Sequence, residues 1–211
     1  MDSETIKKVL DTLEETYPDA KCALEHVNTF ELLVATMLSA QTTDQRVNMV
    51  SPELFSAYPD AESMAQADPE DVGRIIKSIG IYRNKAKNIV AMSKVLMDEN
   101  DGKVPGNHEE LVKLPGVGRK TANVVLADGF GVQRIAVDTH VFRVANRIGL
   151  ADSDNVLGTE EQLMANIPEE RWTRTHHAVI FHGRRCCHAR KPNCGECPIS
   201  AYCRYYSSSS K

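Results

Sequence analysis

The chain has 211 residues, of which 42% are hydrophobic and 26% charged. This is the composition of a soluble globular protein, and no apolar run approaches the roughly 18 residues of a membrane span. The net charge of −4 argues against a nucleic-acid partner, but residues 111–150 carry six Lys or Arg against two Asp or Glu, and residues 171–211 carry eight against one. The basic segments therefore predict a face directed at a polyanion, with chance clustering on a solvated face as the alternative.

Helical patterns follow one another along nearly the whole chain. We predict helices over residues 3–17, 29–39, 43–50, 84–99, 119–130, 139–149 and 173–183. Four further helix starts carry capping signals: Ser51 and Asp68 each precede a proline, and capping boxes open at Asn107 and Thr159. Only QRIAV (133–137) has a strand-like composition, and it is too short to build a sheet. We therefore predict an all-α protein that ends in a disordered tail, SSSSK.

The segment LPGVGRKTANVVL (114–126) predicts a tight hairpin between two helices. Pro115 cannot continue the preceding helix, and Gly116 and Gly118 allow backbone conformations that a Cβ would disfavour. Backbone N–H groups at the start of the second helix suit a phosphate, a contact that positions a protein on DNA without reading its sequence. A plain helix–helix turn is the alternative.

Lys120 breaks a local rule, because cations at a helix N-terminus oppose the macrodipole by about 0.3–1 kcal/mol each. A core-facing stripe is formed by Ala122, Val125, Leu126, Gly129 and Phe130. Lys120 lies on the opposite face, beside Val124, and we expect that apolar face to be covered as well. Partial desolvation, Arg119 and the helix end would all favour a neutral amine, a nucleophile. A solvated lysine paired with a phosphate is the alternative.

The segment AVDTHVFRVANRI (136–148) places Asp138 at a helix N-cap, followed by His140 and Arg143. Capping alone accounts for most aspartates at such positions. A carboxylate there could also take up a proton or stabilise positive charge that develops on a substrate. We expect His140 to orient groups or bind phosphate rather than to catalyse.

Four cysteines near the C-terminus have the spacing C-x6-C-x2-C-x5-C: Cys187, Cys194, Cys197 and Cys203. We expect a cytoplasmic, nucleoid-associated protein, because MDSETIKKVL contains no apolar signal region, and disulfides are rare in that compartment. Four thiolates suit either structural zinc or an iron–sulfur cluster, and the spacing alone does not decide between them. The intervening loop is basic, so a metal there would direct His188, Arg190 and Lys191 towards a DNA backbone.

The hairpin, the AVDTHVFRV segment, LSAQTTD (38–44) and the cysteine loop occur in an order that resembles the endonuclease III branch of the helix-hairpin-helix DNA glycosylases. The resemblance runs from about residue 20 to Cys203. It implies two helical domains with a DNA cleft between them: a helical barrel over 24–132, and an iron–sulfur domain made of 1–23 and 133–211.

The resemblance also implies site residues. It places a [4Fe–4S] cluster on the four cysteines, the nucleophile at Lys120 and the essential carboxylate at Asp138. Gln41 would fill the gap left by an extruded nucleotide, and Ile81 stands at a wedge position where close bacterial relatives have leucine. The expected DNA contacts are Gln41, Ile81, Gly116, Gly118, Arg119, His140, Arg143, Arg184, Arg190 and Lys191.

The function that the resemblance implies is that of a bifunctional DNA glycosylase and AP lyase of base excision repair. Its partner would be damaged double-stranded DNA, with no membrane association, and the protein would be a monomer. The expected lesions are oxidised or ring-saturated pyrimidines. Two alternatives remain: a monofunctional mismatch or adenine glycosylase that activates water, which Lys120 disfavours, and a non-catalytic module that binds DNA shape.

Overall fold

The computed structural model of the chain describes residues 1–209, and no strand occurs within them. The prediction of an all-α protein is confirmed. Twelve α-helices occur in this part of the chain: α1 (Ser3–Thr16), α2 (Thr29–Ser39), α3 (Asp44–Ala57), α4 (Ala61–Ala65), α5 (Pro69–Ile75), α6 (Tyr82–Asn100), α7 (His108–Leu111), α8 (Arg119–Val124), α9 (Thr139–Ile148), α10 (Val156–Asn166), α11 (Trp172–Arg185) and α12 (Arg204–Ser209).

The chain divides into two compact units, of which the first consists of Ala23–Val132. It contains α2 to α8. Helix α2 has the almost wholly apolar sequence TFELLVATMLS, and its residues from Phe30 to Leu38 are buried except Glu31. A helix that is apolar all round belongs in a core. Helices α3, α6 and α8 pack against α2, α4 and α5 pack against α6, and Leu54, Met64, Ile89 and Leu111 are fully buried.

The second unit joins the N-terminal segment Met1–Cys22 to Gln133–Lys211. Its core is one apolar cluster in which α1, α9, α10 and α11 bury their inner faces. Helix α1 shows how the sequence sets this packing: Ile6, Val9, Leu10 and Leu13 recur at helical spacing and are all buried. Because Ile199 belongs to the same cluster, the cysteine loop is anchored in the core of this unit.

Two predicted helix starts are wrong. Ser51 does not cap a helix: α3 continues through Pro52, and the Ser51 hydroxyl donates to the Val47 carbonyl at 2.7 Å. The buried stripe of Val47, Ser51 and Leu54 has spacings of four and three residues. This burial offsets the cost of about 3 kcal/mol that an internal proline imposes.

Thr159 does not open its helix either, because Asn155 caps α10 four residues earlier. The Asn155 side chain accepts a hydrogen bond from the Gly158 N–H at 2.8 Å. Asparagine is as good an N-cap as serine or threonine, so the earlier start satisfies the same requirement. The starts predicted at Asp68 and Asn107 are confirmed.

The helix predicted over 119–130 changes its winding along its length. Residues Arg119–Val124 are α-helical, and Val125–Gly129 form a π-helical turn. Phe130, predicted to face the core, is 39% exposed. A π turn contains one residue more than an α-helical turn, so it rotates the following residues about the helix axis. Apolar residues predicted with a constant period of 3.6 residues therefore no longer face the core beyond the turn.

The predicted disordered tail is wrong for its first residues, since Ser207, Ser208 and Ser209 belong to α12. The Ser207 hydroxyl donates to the Cys203 carbonyl and the Ser208 hydroxyl to the Arg204 carbonyl, one turn back in each case. Ser210 and Lys211, the remainder of the predicted tail, lie outside the described residues.

Candidate active site and metal centre

The segment 114–118 forms the predicted tight turn between α7 and α8. Gly116 has φ +76°, and a Cβ on it would lie 2.8 Å from the Asn88 Cβ. Any larger residue there would be strained and would also clash. Gly118 differs, because a Cβ on it would meet no heavy atom within 4 Å. No side chain or backbone atom of the described residues therefore excludes a Cβ at position 118, and its contact with DNA stays a prediction.

Arg119 and Lys120 occupy the first turn of α8, directly after this loop, and both are exposed. The expectation that the face of Lys120 and Val124 is covered is correct at Val124, which is 7% exposed, and wrong at Lys120 itself. The side chain of Lys120 is therefore accessible from solvent.

Asp138 is the N-cap of α9, and its two carboxylate oxygens have different surroundings. Oδ1 accepts hydrogen bonds from the backbone N–H groups of His140 and Val141, both at 2.8 Å. Oδ2 lies 3.6 Å from Nδ1 of His140, and the Asp138 side chain is 22% exposed. One oxygen therefore holds the helix start, and the other is available to act on a ligand.

Arg143 has a structural task that the sequence did not reveal. Its guanidinium donates to the carbonyls of Gly183 and Cys187, each at 3.1 Å, and so joins α9 to the end of α11 and to the start of the cysteine loop. Its contact with DNA stays a prediction.

Gln41 and Ile81 are the two residues predicted to act inside the duplex, and both have a left-handed backbone conformation. Gln41 has φ 56° and Ile81 has φ 57°, and both are exposed, Ile81 by 56%. The left-handed region costs a residue with a side chain on the order of 1–3 kcal/mol, and a β-branched residue is rarest there. Strained residues of this kind gather at functional sites.

Lys85 was not predicted, yet it holds this region. Its Nζ donates to the carbonyls of Leu38 at 2.8 Å and Ala40 at 2.5 Å, and to the Thr42 hydroxyl at 3.1 Å. Burial lowers the pKa of Lys85. No local pattern in KAKNI distinguishes this lysine from Lys87, because all its side-chain partners lie more than 40 residues earlier.

The four predicted cysteine ligands line one cavity, together with His182, Cys186, Tyr205 and neighbouring residues. Tetrahedral zinc with Zn–S bonds of about 2.3 Å would hold its sulfurs about 3.8 Å apart. Among the described residues, the only metal-binding group whose donor atoms all lie within 4.8 Å is His182, Cys186 and Cys197, so no three of the loop cysteines are that close. This wide spacing fits a group larger than a single ion, and four thiols are the ligands of an iron–sulfur cluster.

Two side chains donate to sulfurs of this set. An Arg147 N–H lies 3.5 Å from the Cys187 sulfur, and Nε2 of His182 lies 3.7 Å from the Cys197 sulfur. Burial lowers the pKa of His182 to about 4, so its imidazole is neutral and carries one proton. With a cluster bound, the Cys197 sulfur would only accept, which would place this proton on Nε2 and leave Nδ1 to accept from the Tyr17 hydroxyl, 2.9 Å away. The result is a chain of two hydrogen bonds from α1 to the cysteine loop.

The loop between the first two cysteine ligands carries its basic side chains outward. Arg190 and Lys191 are exposed, and Lys191 has φ 51°. The Arg147 guanidinium fixes this loop by donating to the carbonyls of His188 at 2.7 Å and Ala189 at 3.0 Å. Arg184, in the last turn of α11, is exposed as well. Hydrogen bonds thus fix the backbone of the loop that carries Arg190 and Lys191, two of the predicted phosphate contacts.

Within residues 1–209, no helix combines the length and the apolar character needed to cross a membrane.

Two family models match the chain. One, described as "HhH-GPD superfamily base excision DNA repair protein", matches residues 34–169. The other, the iron–sulfur binding domain of endonuclease III, matches residues 187–203, which begin and end at the first and last cysteine ligands.

Characterised relatives match over nearly their whole length. Endonuclease III of Bacillus subtilis is 50% identical over 200 residues, covering 94% of this chain and 91% of the relative. Endonuclease III of Escherichia coli K12 is 44% identical over 198 residues, or 94% of each chain. The solved structure of a trapped endonuclease III–DNA covalent intermediate matches with a TM-score of 0.95 at 46% identity, over all of both chains.

Proposed function

The chain belongs to the HhH-GPD superfamily of base excision DNA repair proteins, as a DNA glycosylase with AP lyase activity, and we propose that Lys120 supplies its amine and Asp138 its carboxylate. The observation that carries the proposal is the exposed amine of Lys120 on the first turn of α8, directly after a loop whose Gly118 faces open space. Oδ2 of Asp138, which takes no part in the helix cap, supports the second role. The two residues belong to different units of the chain.

The chemistry then proceeds in two stages. The neutral amine of Lys120 attacks the sugar C1′, the glycosidic bond breaks, and the base departs with the bonding electron pair and takes up a proton. The sugar ring opens to give a Schiff base with Lys120, and loss of a C2′ proton expels the 3′ phosphate by β-elimination. Asp138 stabilises the positive charge on the sugar and carries protons between these steps. Hydrolysis of the Schiff base returns the free lysine.

Extrusion of the nucleotide comes first and sets part of the selectivity. A damaged base stacks and pairs poorly, so removing it from the duplex costs fewer of the few kcal/mol that a normal base requires. Gln41 and Ile81 would occupy the void, since both side chains are exposed and stand on adjacent segments. A Cβ on Gly80 would lie only 3.7 Å from the Gln41 carbonyl oxygen.

The iron–sulfur domain of this family carries a [4Fe–4S] cluster, which would be held by Cys187, Cys194, Cys197 and Cys203. When bound, the cluster ties four distant points of the loop together and so contributes folding free energy to it. The loop would then present Arg190 and Lys191 to the DNA backbone, while His140, Arg143 and Arg184 add further contacts.

We further propose that the substrates are oxidised or ring-saturated pyrimidines in double-stranded DNA, and that the protein acts as a monomer in the cytoplasm, at the nucleoid. The exposed lysine at position 120 favours this bifunctional reaction over that of a monofunctional glycosylase, in which an activated water attacks and no Schiff base forms.

A panel of duplexes, each with one defined damaged base, tests the proposal. We expect strand cleavage at ring-saturated pyrimidines such as thymine glycol, and none after Lys120→Ala. Lys103→Ala removes an exposed lysine of the same unit and should cleave normally. Cleavage by the Lys120→Ala variant at the rate of the unchanged protein would refute the role of Lys120. Cleavage confined to other lesions would refute the substrate class.

A further inference from the structure

Lys85 lies on the first turn of α6, one helical turn after Ile81, and its backbone N–H donates to the Ile81 carbonyl at 3.2 Å. Its side chain extends to the end of α2. Its three side-chain acceptors stand on both sides of Gln41 in the sequence: Leu38 and Ala40 before it and Thr42 after it. The side chain of one residue on α6 therefore bonds to the residues on both sides of Gln41.

The acceptors explain why a lysine occupies this position. Carbonyls in the last turn of a helix have no intrahelical partner, and Leu38 is in the last turn of α2. An ammonium group has three donors, and the three hydrogen bonds use all of them. A cation at a helix C-terminus also complements the macrodipole. The same interaction that ends α2 thus fixes the direction in which the chain leaves it.

The direction in which the chain leaves α2 matters for the backbone conformation of Gln41. Its φ of 56° is disfavoured for glutamine, so the backbone would relax to negative φ if nothing held it. The bonds to Ala40 and Thr42 grip the residues immediately before and after Gln41. The bond from the Lys85 backbone N–H to the Ile81 carbonyl is the ordinary hydrogen bond of a helix turn, so the Lys85 side chain acts on the Gln41 segment alone.

We propose that Lys85 is a positioning residue for DNA base excision, which holds Gln41 in the conformation that fills the space of the extruded nucleotide. The inference rests on the proposed role of Gln41. Lys85 acts before chemistry, by keeping the Gln41 side chain ready to enter the duplex so that the free energy of ordering it is not spent when the nucleotide leaves the stack.

A double-mutant cycle tests this positioning role, with single-turnover base excision from a thymine glycol duplex as the measurement. The variants are Lys85→Met, Gln41→Ala and the two combined. Lys94→Met removes the same charge from an exposed position of α6 and is the control. We expect Lys85→Met alone, which removes all three charge-assisted hydrogen bonds, to slow excision by at least about tenfold. In the Gln41→Ala background it should slow excision less than about twofold, because its target is already gone.

The outcomes separate the two hypotheses. If Gln41→Ala excises at the normal rate, the role of Gln41 fails, and this inference fails with it. If Gln41→Ala is slow but Lys85→Met multiplies the loss fully, Gln41 keeps its role and the inference about Lys85 is wrong. Should Lys85→Met not fold, Thr42→Val removes one acceptor only. We expect it to slow excision by a smaller factor, again without effect in the Gln41→Ala background, and a full multiplicative loss would overturn the inference.

Discussion

Asp138 shows how one side chain can serve both the fold and the reaction. Capping alone accounts for most aspartates at helix starts, and the structure confirms that Asp138 is a cap. The cap uses only Oδ1, however, which accepts both backbone N–H groups. The two interpretations that the sequence left open are therefore compatible, because each takes a different oxygen.

A pair of substitutions separates the two roles. Asp138→Asn keeps a cap oxygen but loses the charge, so we expect near-normal thermal stability and base excision slowed by at least about a hundredfold. Asp138→Ala should lose about 1 kcal/mol of stability as well. Thermal melting and single-turnover kinetics measure the two effects. If Asp138→Asn excised bases at the normal rate, Asp138 would be a cap and nothing more.

The buried hydrogen bond from His182 to Cys197 makes a prediction about the cluster itself. Hydrogen bonds to cluster sulfurs raise the reduction potential, so His182→Leu should shift the midpoint potential to a more negative value. His182→Gln retains an N–H donor and should stay nearer to the original value. Voltammetry of the cluster-loaded protein measures both. Equal potentials in the two variants would show that His182 only fills space.

At the level of the elements, the hairpin glycines have different physical reasons and should respond differently to alanine. Gly116→Ala is strained by its positive φ and clashes with Asn88, so we expect a loss of about 2 kcal/mol or more in stability. Gly118→Ala should leave stability within about 0.5 kcal/mol and weaken DNA binding, since its Cβ occupies the space a phosphate needs. Thermal melting and DNA titration measure these effects. Normal DNA affinity of Gly118→Ala would contradict a phosphate site at this loop.

Most helices could be located from the sequence, because the residue patterns that start and continue a helix are local. The bounds of α2 agree with the prediction to the residue, and α9 differs at one end only. The prediction of helices failed where tertiary packing overrides a local signal. Pro52 is a strong start signal, but the buried stripe of α3 carries the helix past it. The π turn after Val124 has no local signal in the sequence.

The side chains proposed to carry the chemistry of the candidate site could be predicted from the sequence. The residues that hold their surroundings in place could not. Lys120, Asp138 and the four cysteines each stand in a recognisable local pattern. Lys85 does not, because its three side-chain acceptors lie 43 to 47 residues away in the sequence. Tyr17 and His182 are 165 residues apart. Contacts of this kind exist only once the chain has folded.

For the molecule as a whole, net charge is a poor guide to the partner. The chain carries −4, although its segments 111–150 and 171–211 are strongly basic. A polyanion responds to the local field of such segments, and the acidic remainder keeps the protein dissolved. The spacing of the cysteines likewise leaves zinc and an iron–sulfur cluster equally possible. The separation of the sulfurs and the match to the iron–sulfur domain decide for the cluster.

The salt dependence of DNA binding tests the proposed basic contacts. Each phosphate contact contributes about 0.9 to the slope of log affinity against log salt concentration. Replacing Arg190 and Lys191 together by alanine should therefore lower the slope by about 1.8. Replacing Lys7 and Lys8, exposed on α1 and paired with Asp11 and Glu4, should not change it. An unchanged slope for the first pair would remove the cysteine loop from the DNA-binding face.

The identity of the attacking amine is tested most directly by borohydride trapping. The protein is incubated with a thymine glycol duplex, the Schiff base is reduced, and the modified peptide is sequenced by mass spectrometry. The proposed reaction predicts a single adduct on Lys120, and no adduct in Lys120→Ala. An adduct on another amine, or base excision without any adduct, would contradict it.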